Sequence, residues 1–292
     1  MAMGWAMPMT VEGLAQHRRW LQTARNPAWE PFSLVERVVR GIYELVLVPG
    51  DQVIDGGANR GMHTLPLAEA VGGTGRVVAV EANPSLAAAM TVFAAQHGLD
   101  NITIVNKALG ASDGTTSFNR APHVDALSGI RRRPDLVDQV VEVIEVPMIT
   151  LDSLIAKHKL DRLRFVKLDL EGGEFDTLRG SPALLQMASA PLMILENGRQ
   201  WSGDLYGFDK EAWFSLFAGS GYQQFDLFGY PFTPDVWDEP DLVWYSLAAK
   251  RPDDIRFIAT QLVPLIEGIH GAMPADGDLR WPTQQFSHAY VA

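Results

Sequence analysis

The sequence predicts an α/β fold: a seven-stranded sheet, mostly parallel with its last strand antiparallel, helices on both faces, and extra helices at the N-terminal end. Three observations predict it. Short continuous apolar runs such as Val77 to Val80 and Phe165 to Leu168 read as strands buried on both faces. Segments with apolar residues at three- and four-residue intervals separate them, as amphipathic helices require. A Gly-rich turn, Asp55-Gly56-Gly57-Ala58-Asn59-Arg60-Gly61, leaves the first strand for a helix, and such a turn lets the backbone approach a ligand closely.

The elements follow in order. Val11 to Ala24 and Phe32 to Leu47 read as two helices, the second stopped by Pro49-Gly50. Gln52 to Ile54 is the first strand, and the helix after the turn starts near Met62 and runs to about Ala70. Val77 to Val80 is the second strand, closed by Glu81; Asn83-Pro84 caps a helix to about His97, and Ile102 to Asn106 is the third strand. The alternation then breaks: Thr115 to Asn119 and Val141 to Met148 read as strands around a polar stretch containing Arg131-Arg132-Arg133. Thr150 caps a short helix, Phe165 to Leu168 ends in Asp169, and Pro191 to Leu195 ends in Glu196. Ser181-Pro182 and Asp209 mark helix starts, Tyr222 to Phe228 and Leu242 to Ala248 are late strands, and Asp253 to Gly268 reads as a helix. The organisation is therefore an N-terminal helical extension (1–48), a central domain (49–250), and a C-terminal helix and tail (251–292).

Net charge of −11 with no long basic block makes a polyanion a poor partner, so no nucleic-acid partner is expected. With no cysteine, disulfides, thiolate nucleophiles and thiolate metal sites are excluded. No apolar run reaches the roughly 18 residues of a spanning helix, and Met1 to Thr10 lacks the plan of a signal peptide, so the expected location is cytoplasmic.

Ligands of an open α/β sheet bind beyond the carboxyl ends of the strands, which is where Asp55, Glu81, Asp169 and Glu196 fall. Glu81 lies twenty residues after Gly61, the separation at which an acid takes the ribose hydroxyls of an adenosine. Asp55 holds backbone amides of the turn or contacts a cofactor amino group through water. Ala58 breaks the Gly-x-Gly-x-x-Gly fingerprint of a nicotinamide loop. Arg60 reads as solvent-facing, and His63, opening the next helix, as a structural residue or a base.

Five motifs occur in order over roughly residues 50–200. They are Val53-Ile54-Asp55-Gly56-Gly57-Ala58-Asn59-Arg60-Gly61, Val80-Glu81-Ala82-Asn83-Pro84, Asn106-Lys107-Ala108-Leu109-Gly110, Thr150-Leu151-Asp152-Ser153-Leu154 and Val166-Lys167-Leu168-Asp169-Leu170-Glu171-Gly172. Together they resemble the FkbM family of S-adenosylmethionine-dependent methyltransferases, with Gly56 standing where valine is more usual. The resemblance implies a Rossmann-like class I methyltransferase fold and O-methylation of a sugar, glycan or polyketide-type natural product. It implies that Asp55, Gly57, Ala58, Asn59 and Gly61 line the methionine end of S-adenosyl-L-methionine, that Glu81 holds the ribose flanked by Asn83, and that Lys107 and Ala108 lie beside adenine.

Transfer to a hydroxyl needs a base or a divalent metal. Asp169, Glu171, Glu196 and His63 are the candidate catalytic residues. Asp169 and Glu171 share one face, with Lys167, if strand geometry persists. Asp169, Glu196 and Asn197 are similar to the magnesium triad of catechol-type O-methyltransferases, so Mg2+ is a candidate cofactor. Of 27 aromatic residues, 14 lie between Trp201 and Tyr245, which makes Trp201, Tyr206, Tyr230 and Trp237 candidates for a pocket that takes a small-molecule or glycan acceptor. The stretch His123 to Arg133 is a lid or a solvated loop. The alternatives are an NAD(P)-dependent oxidoreductase, for which no Tyr-x-x-x-Lys pair is present, and a non-catalytic small-molecule-binding module on the same fold.

Overall fold

The computed structural model describes residues 34–239 and 244–272. The expected helix Val11 to Ala24 and the tail beyond Met273 lie outside the described residues. Helix α1 (Leu34–Val46) leads into β1 (Gln52–Gly56), α2 (Thr64–Val71), β2 (Arg76–Val80), α3 (Pro84–Gln96) and β3 (Ile102–Val105). Next come β4 (Ala108–Leu109), β5 (Gly114–Arg120), β6 (Glu142–Ile149), α4 (Leu151–His158) and β7 (Leu163–Leu168). Helices α5 (Glu174–Arg179) and α6 (Pro182–Gln186) precede β8 (Leu192–Glu196). The chain continues through α7 (Gln200–Tyr206), α8 (Lys210–Phe217), β9 (Gln223–Asp226), β10 (Tyr245–Ala249), α9 (Pro252–Thr260) and α10 (Leu262–Ala272).

The main sheet has seven strands in the order β3-β2-β1-β7-β8-β10-β9, and β10 runs antiparallel to both its neighbours. This is the expected α/β architecture. Alternate residues of each strand feed opposite faces, because side chains of a strand alternate. Val53, Phe165, Ile194 and Leu247 join one core with α1, α9 and α10, while Ile54, Val166, Met193 and Ala248 join the other with Trp213 and Trp237. The strand order reverses between β1 and β7, and this reversal opens the crevice in which open α/β sheets bind ligands.

The break in alternation is a separate three-stranded sheet, β4-β6-β5, inserted between β3 and β7. Asn83, Thr150 and Asp209 cap their helices as expected, each side chain accepting a backbone N–H. Ser181 differs: its hydroxyl accepts the Leu151 N–H, so it joins α4 to α6 and leaves Pro182 to open α6. The single helix expected over Asp253 to Gly268 is two, broken at Gln261. Pro264 is the cause, since it has no N–H for the Thr260 carbonyl and its ring would crowd that group. Among the described residues no helix is long and apolar enough to cross a membrane.

Candidate active site

A cavity of about 850 Å3 opens at the carboxyl edge of the sheet, where β1, β2, β7 and β8 end. The register builds its floor. Asp55 pairs with Lys167 across β1 and β7, and Glu196 pairs with Tyr245 across β8 and β10.

The Gly-rich turn forms one wall. Gly57 has φ +76°, and a Cβ there would lie 1.8 Å from the Asp169 carbonyl oxygen, so no side chain fits. The Gly57 and Ala58 amides donate to the Val80 carbonyl at 2.9 and 3.0 Å, which ties the turn to the end of β2. Asn59 takes a left-handed conformation at φ 49° and donates its N–H to Glu81 Oε2 at 2.7 Å. Gly61, at φ +80°, follows it along the wall. Thr64 donates to Asp55 Oδ2 at 2.6 Å, whereas Asp55 Oδ1 is buried and has no hydrogen-bond partner.

Glu81 accepts two backbone amides, that of Asn59 and, at 2.7 Å on Oε1, that of Asn83. Burial nevertheless pushes its carboxyl up to about 7. Lys107 and Ala108 line the same cavity, with Leu109 and Phe118 beyond them. Asn83 does not line it: its side chain caps α3 through the Ser85 N–H and donates from Nδ2 to Asp125 Oδ1 of the cavity wall at 3.4 Å, and its own N–H bonds Glu81.

The other end is acidic. One carboxylate oxygen from each of Asp169, Glu171 and Glu196 lies within 4.8 Å of the others. Lys167 Nζ reaches Asp169 Oδ2 at 2.8 Å and Tyr245 donates to the same oxygen at 2.7 Å. Burial alone would raise the Asp169 carboxyl, but the Lys167 ammonium holds it well below the usual range. Glu196 goes the other way, driven well above its usual value by burial and then by the Asp169 charge. Glu171 is pushed up to about 7 by burial and by Asp169, although Arg133 bonds it. Its backbone is left-handed, at φ 55°. The strand ends at Leu168, so Asp169 and Glu171 meet through this turn and not through strand alternation.

Several expected residues lie elsewhere. Asn197 does not line the cavity: its Oδ1 accepts the Arg199 N–H, and its own N–H bonds the Trp244 carbonyl. With Lys167 on Asp169 and Arg133 on Glu171, side-chain cations already neutralise two of the three carboxyls, and the donor set does not fit the expected Mg2+ triad. Trp201, Tyr206, Tyr230 and Trp237 also miss the cavity wall. Trp237 is core, packed on Trp213, Phe214 and Phe232, and Trp201 carries the Arg133 guanidinium 4.7 Å above its ring. His63 lines the cavity but is held between Glu36 and Tyr43.

Residues Val124 to Ile130 of the polar stretch line the cavity and form its lid, anchored by Arg60 to Asp125 at 2.8 Å. Arg60, expected to face solvent, is thus half-exposed and half bound to the lid. Sequence reasoning missed Glu36 and Tyr245, and reached Asp125 only as part of the stretch His123 to Arg133. The sequence carries no local signal for Glu36, and Tyr245 falls within a strand.

A Rossmann-like seven-stranded sheet with the strand order 3-2-1-7-8-10-9, a glycine turn after its first strand and an acid after its second defines a class I methyltransferase architecture. Residues 55–223 match the Methyltransferase FkbM domain, and the chain belongs to that family. This sets aside the nicotinamide alternative. The protein-L-isoaspartate O-methyltransferase 2 of Archaeoglobus fulgidus is 27% identical over 101 residues, 35% of this chain and 44% of that protein. Among solved structures, the methyltransferase FkbM of Methylobacillus flagellatus KT superposes with a TM-score of 0.44 at 15% identity, covering 82% of this chain and 59% of that one. Aeropyrum pernix fibrillarin, crystallised with natively bound S-adenosyl-L-methionine, gives 0.40 at 14% identity over 73% of this chain and 71% of that one. The chain thus spans less than two thirds of the length of the archaeal relative and of the Methylobacillus structure.

Proposed function

We propose that this protein is an S-adenosyl-L-methionine-dependent O-methyltransferase acting on a hydroxyl of a sugar, glycan or polyketide-type natural product. The observation that carries the reading is the donor half of the cavity. It joins a turn with no room for a Cβ at Gly57, a buried Asp55 oxygen with no protein partner, and the Glu81 carboxyl at the end of β2. These fit the donor: Asp55, Gly57, Ala58, Asn59 and Gly61 would hold its methionine end, Glu81 its ribose, and Lys107 and Ala108 its adenine. When bound, S-adenosyl-L-methionine supplies an electrophilic methyl group on a positively charged sulfur.

The remaining work belongs to the chain. A hydroxyl is a weak nucleophile at neutral pH, so a base must accept its proton as the oxygen attacks. Asp169 is a poor base, because Lys167 and Tyr245 occupy its Oδ2 and keep it ionised. Glu171, with its carboxyl near 7, matches the operating pH and takes the proton. Asp169, bonded to Lys167, would supply fixed negative charge at the acidic end of the cavity. Val124 to Ile130 would cover the reacting groups from the lid side of the cavity.

The test is a panel of hydroxylated acceptors assayed for S-adenosylhomocysteine release, with the product's new methyl ether located by mass spectrometry. Binding of NADH but not of S-adenosylhomocysteine in a fluorescence titration would overturn the reading. Binding of S-adenosylhomocysteine without turnover on any acceptor would favour the non-catalytic binding module.

A further inference from the structure

The lid segment runs on past Ile130 into Arg131-Arg132-Arg133, and the last of these arginines reaches back to the acidic end of the cavity. Its guanidinium bonds Glu171 Oε2 and is braced by Asp135, with Nε to Oδ1 at 3.0 Å and Nη2 to Oδ2 at 2.7 Å. Trp201 of α7 lies against the same group, its ring centroid 4.7 Å from the guanidinium carbon. The root of the segment is fixed to β5. Asn119 and Gly129 exchange backbone hydrogen bonds at 2.8 and 3.1 Å, and Asn119 Nδ2 donates to the Ile130 carbonyl at 2.9 Å. A planar guanidinium that pairs with two carboxylates and stacks on an indole uses all the contacts that distinguish arginine from lysine.

Helix α7 supports the Glu171 side of this contact as well. Gly172, at φ +97°, follows Glu171, and a Cβ there would lie 2.8 Å from the Tyr206 ring, so the turn presses against α7. A Cβ at Gly198 would lie 2.9 Å from Trp201 Cε3, so the indole is seated against bare backbone just before the helix. The Arg133 and Glu171 side chains are 18% and 12% exposed, which limits the screening of their charges by solvent. Asp169 in the same turn, Asp135, Glu174 on α5 and Glu196 at the end of β8 surround Glu171 with acids, while Lys167 is bonded to Asp169. The contact with Arg133 occupies Oε2, and Oε1 is the oxygen left to take an acceptor's proton.

We propose that Arg133 is a positioning residue for the base: seated on Trp201 and braced by Asp135, its guanidinium fixes where the Glu171 carboxylate stands and is its ion-pair partner. This rests on the reading of Glu171 as the base. The segment that roofs the cavity is then also the one that aims the base.

Carboxyl titration of the full chain by NMR, with glutamate carrying carbon-13 at the side-chain carboxyl, tests the proposal; the Glu171 signal is assigned by its loss in Glu171→Gln. In the wild type its midpoint is expected near 7, where burial and Asp169 raise it and Arg133 opposes them. Removing the cation leaves the ionised carboxylate without its partner, so Arg133→Gln is expected to raise the midpoint by about one pH unit or more. Arg133→Lys keeps the charge and should restore part of that shift. Trp201→Leu, which unseats the guanidinium, should raise the midpoint by a smaller amount. An unmoved midpoint in an Arg133→Gln variant that melts like the wild type would overturn the proposal. If that variant does not fold, an unmoved midpoint in Trp201→Leu overturns it. The acidic limb of kcat/KM separates this result from the base reading. A limb that moves with the Glu171 midpoint supports both, whereas a limb that stays while the midpoint moves removes the base reading, and this role for Arg133 with it.

Discussion

At the scale of single residues, the proposed chemistry rests on Glu171. Its left-handed backbone at φ 55° is a conformation that non-glycine residues hold only when their surroundings enforce it. Burial and the neighbouring Asp169 raise its carboxyl to about 7, above the usual value of 4.5. A base works only when ionised, so kcat/KM is expected to fall about tenfold per pH unit below 7 and to level off above it. Glu171→Gln should lower kcat by roughly 10²–10⁴ and remove that acidic limb, while S-adenosylhomocysteine affinity stays within about threefold. A pH-rate profile checks it; a variant that retained the limb would return the role to another group. The acids themselves were legible in the sequence, because Asp55, Glu81, Asp169 and Glu196 close apolar runs. What spacing does not show is which lone pair is already taken. Asn83 and Asn197 stood beside the right acids, but each uses its side-chain oxygen on a nearby backbone amide and not on a ligand.

At the scale of elements, the turn between β7 and α5 sets the angle at which Glu171 enters the cavity. Glu174, at the start of α5 and 1% exposed, holds that turn by accepting the Leu170 N–H on Oε1, and burial raises its carboxyl well above the usual range. Glu174→Gln should change stability by less than about 1 kcal/mol in urea denaturation at pH 7, because the amide oxygen of Gln can still accept the Leu170 N–H. Glu174→Ala strands the Leu170 amide and should cost about 1–3 kcal/mol, with a drop in kcat as the Glu171 turn relaxes. Strands and caps were legible because periodicity and cap chemistry are local. The lid was legible only as one of two readings of His123 to Arg133, lid or solvated loop, since Val124 to Ile130 face a ligand-sized cavity and follow no period of helix or strand. The aromatic cluster misled for a related reason. Composition locates a concentration of rings between Trp201 and Tyr245, but Trp213, Phe217 and Trp237 form a core under β8 and β10, and the rings that reach the cavity are Phe118, Trp244 and Tyr245.

At the scale of the whole molecule, the expected division at residues 48 and 250 meets a core that does not divide there. Val38 and Ile42 of α1, Val53 and Phe165 of the sheet, and Phe257 and Ile266 of α9 and α10 belong to one buried cluster. A sheet face stripped of α1 and α10 would expose that cluster to water, a cost set by apolar area at about 25 cal/mol per Å2. The layers are therefore expected to unfold together, in a single thermal transition. The same continuity couples the cavity to the whole fold, because α1 carries Glu36 to its wall while its opposite side anchors in the core. A ligand that binds only the folded state stabilises it by about 2.7 kcal/mol at a hundred times its Kd. In a chain of this size that corresponds to an upward shift of about 4–8 °C in Tm. Scanning calorimetry with and without S-adenosylhomocysteine checks both points at once. One transition that moves as a unit is the expected outcome. Two transitions, of which the ligand moves only one, would mean that the helical layer and the sheet fold separately, and that α1 reaches the cavity by docking onto a finished domain.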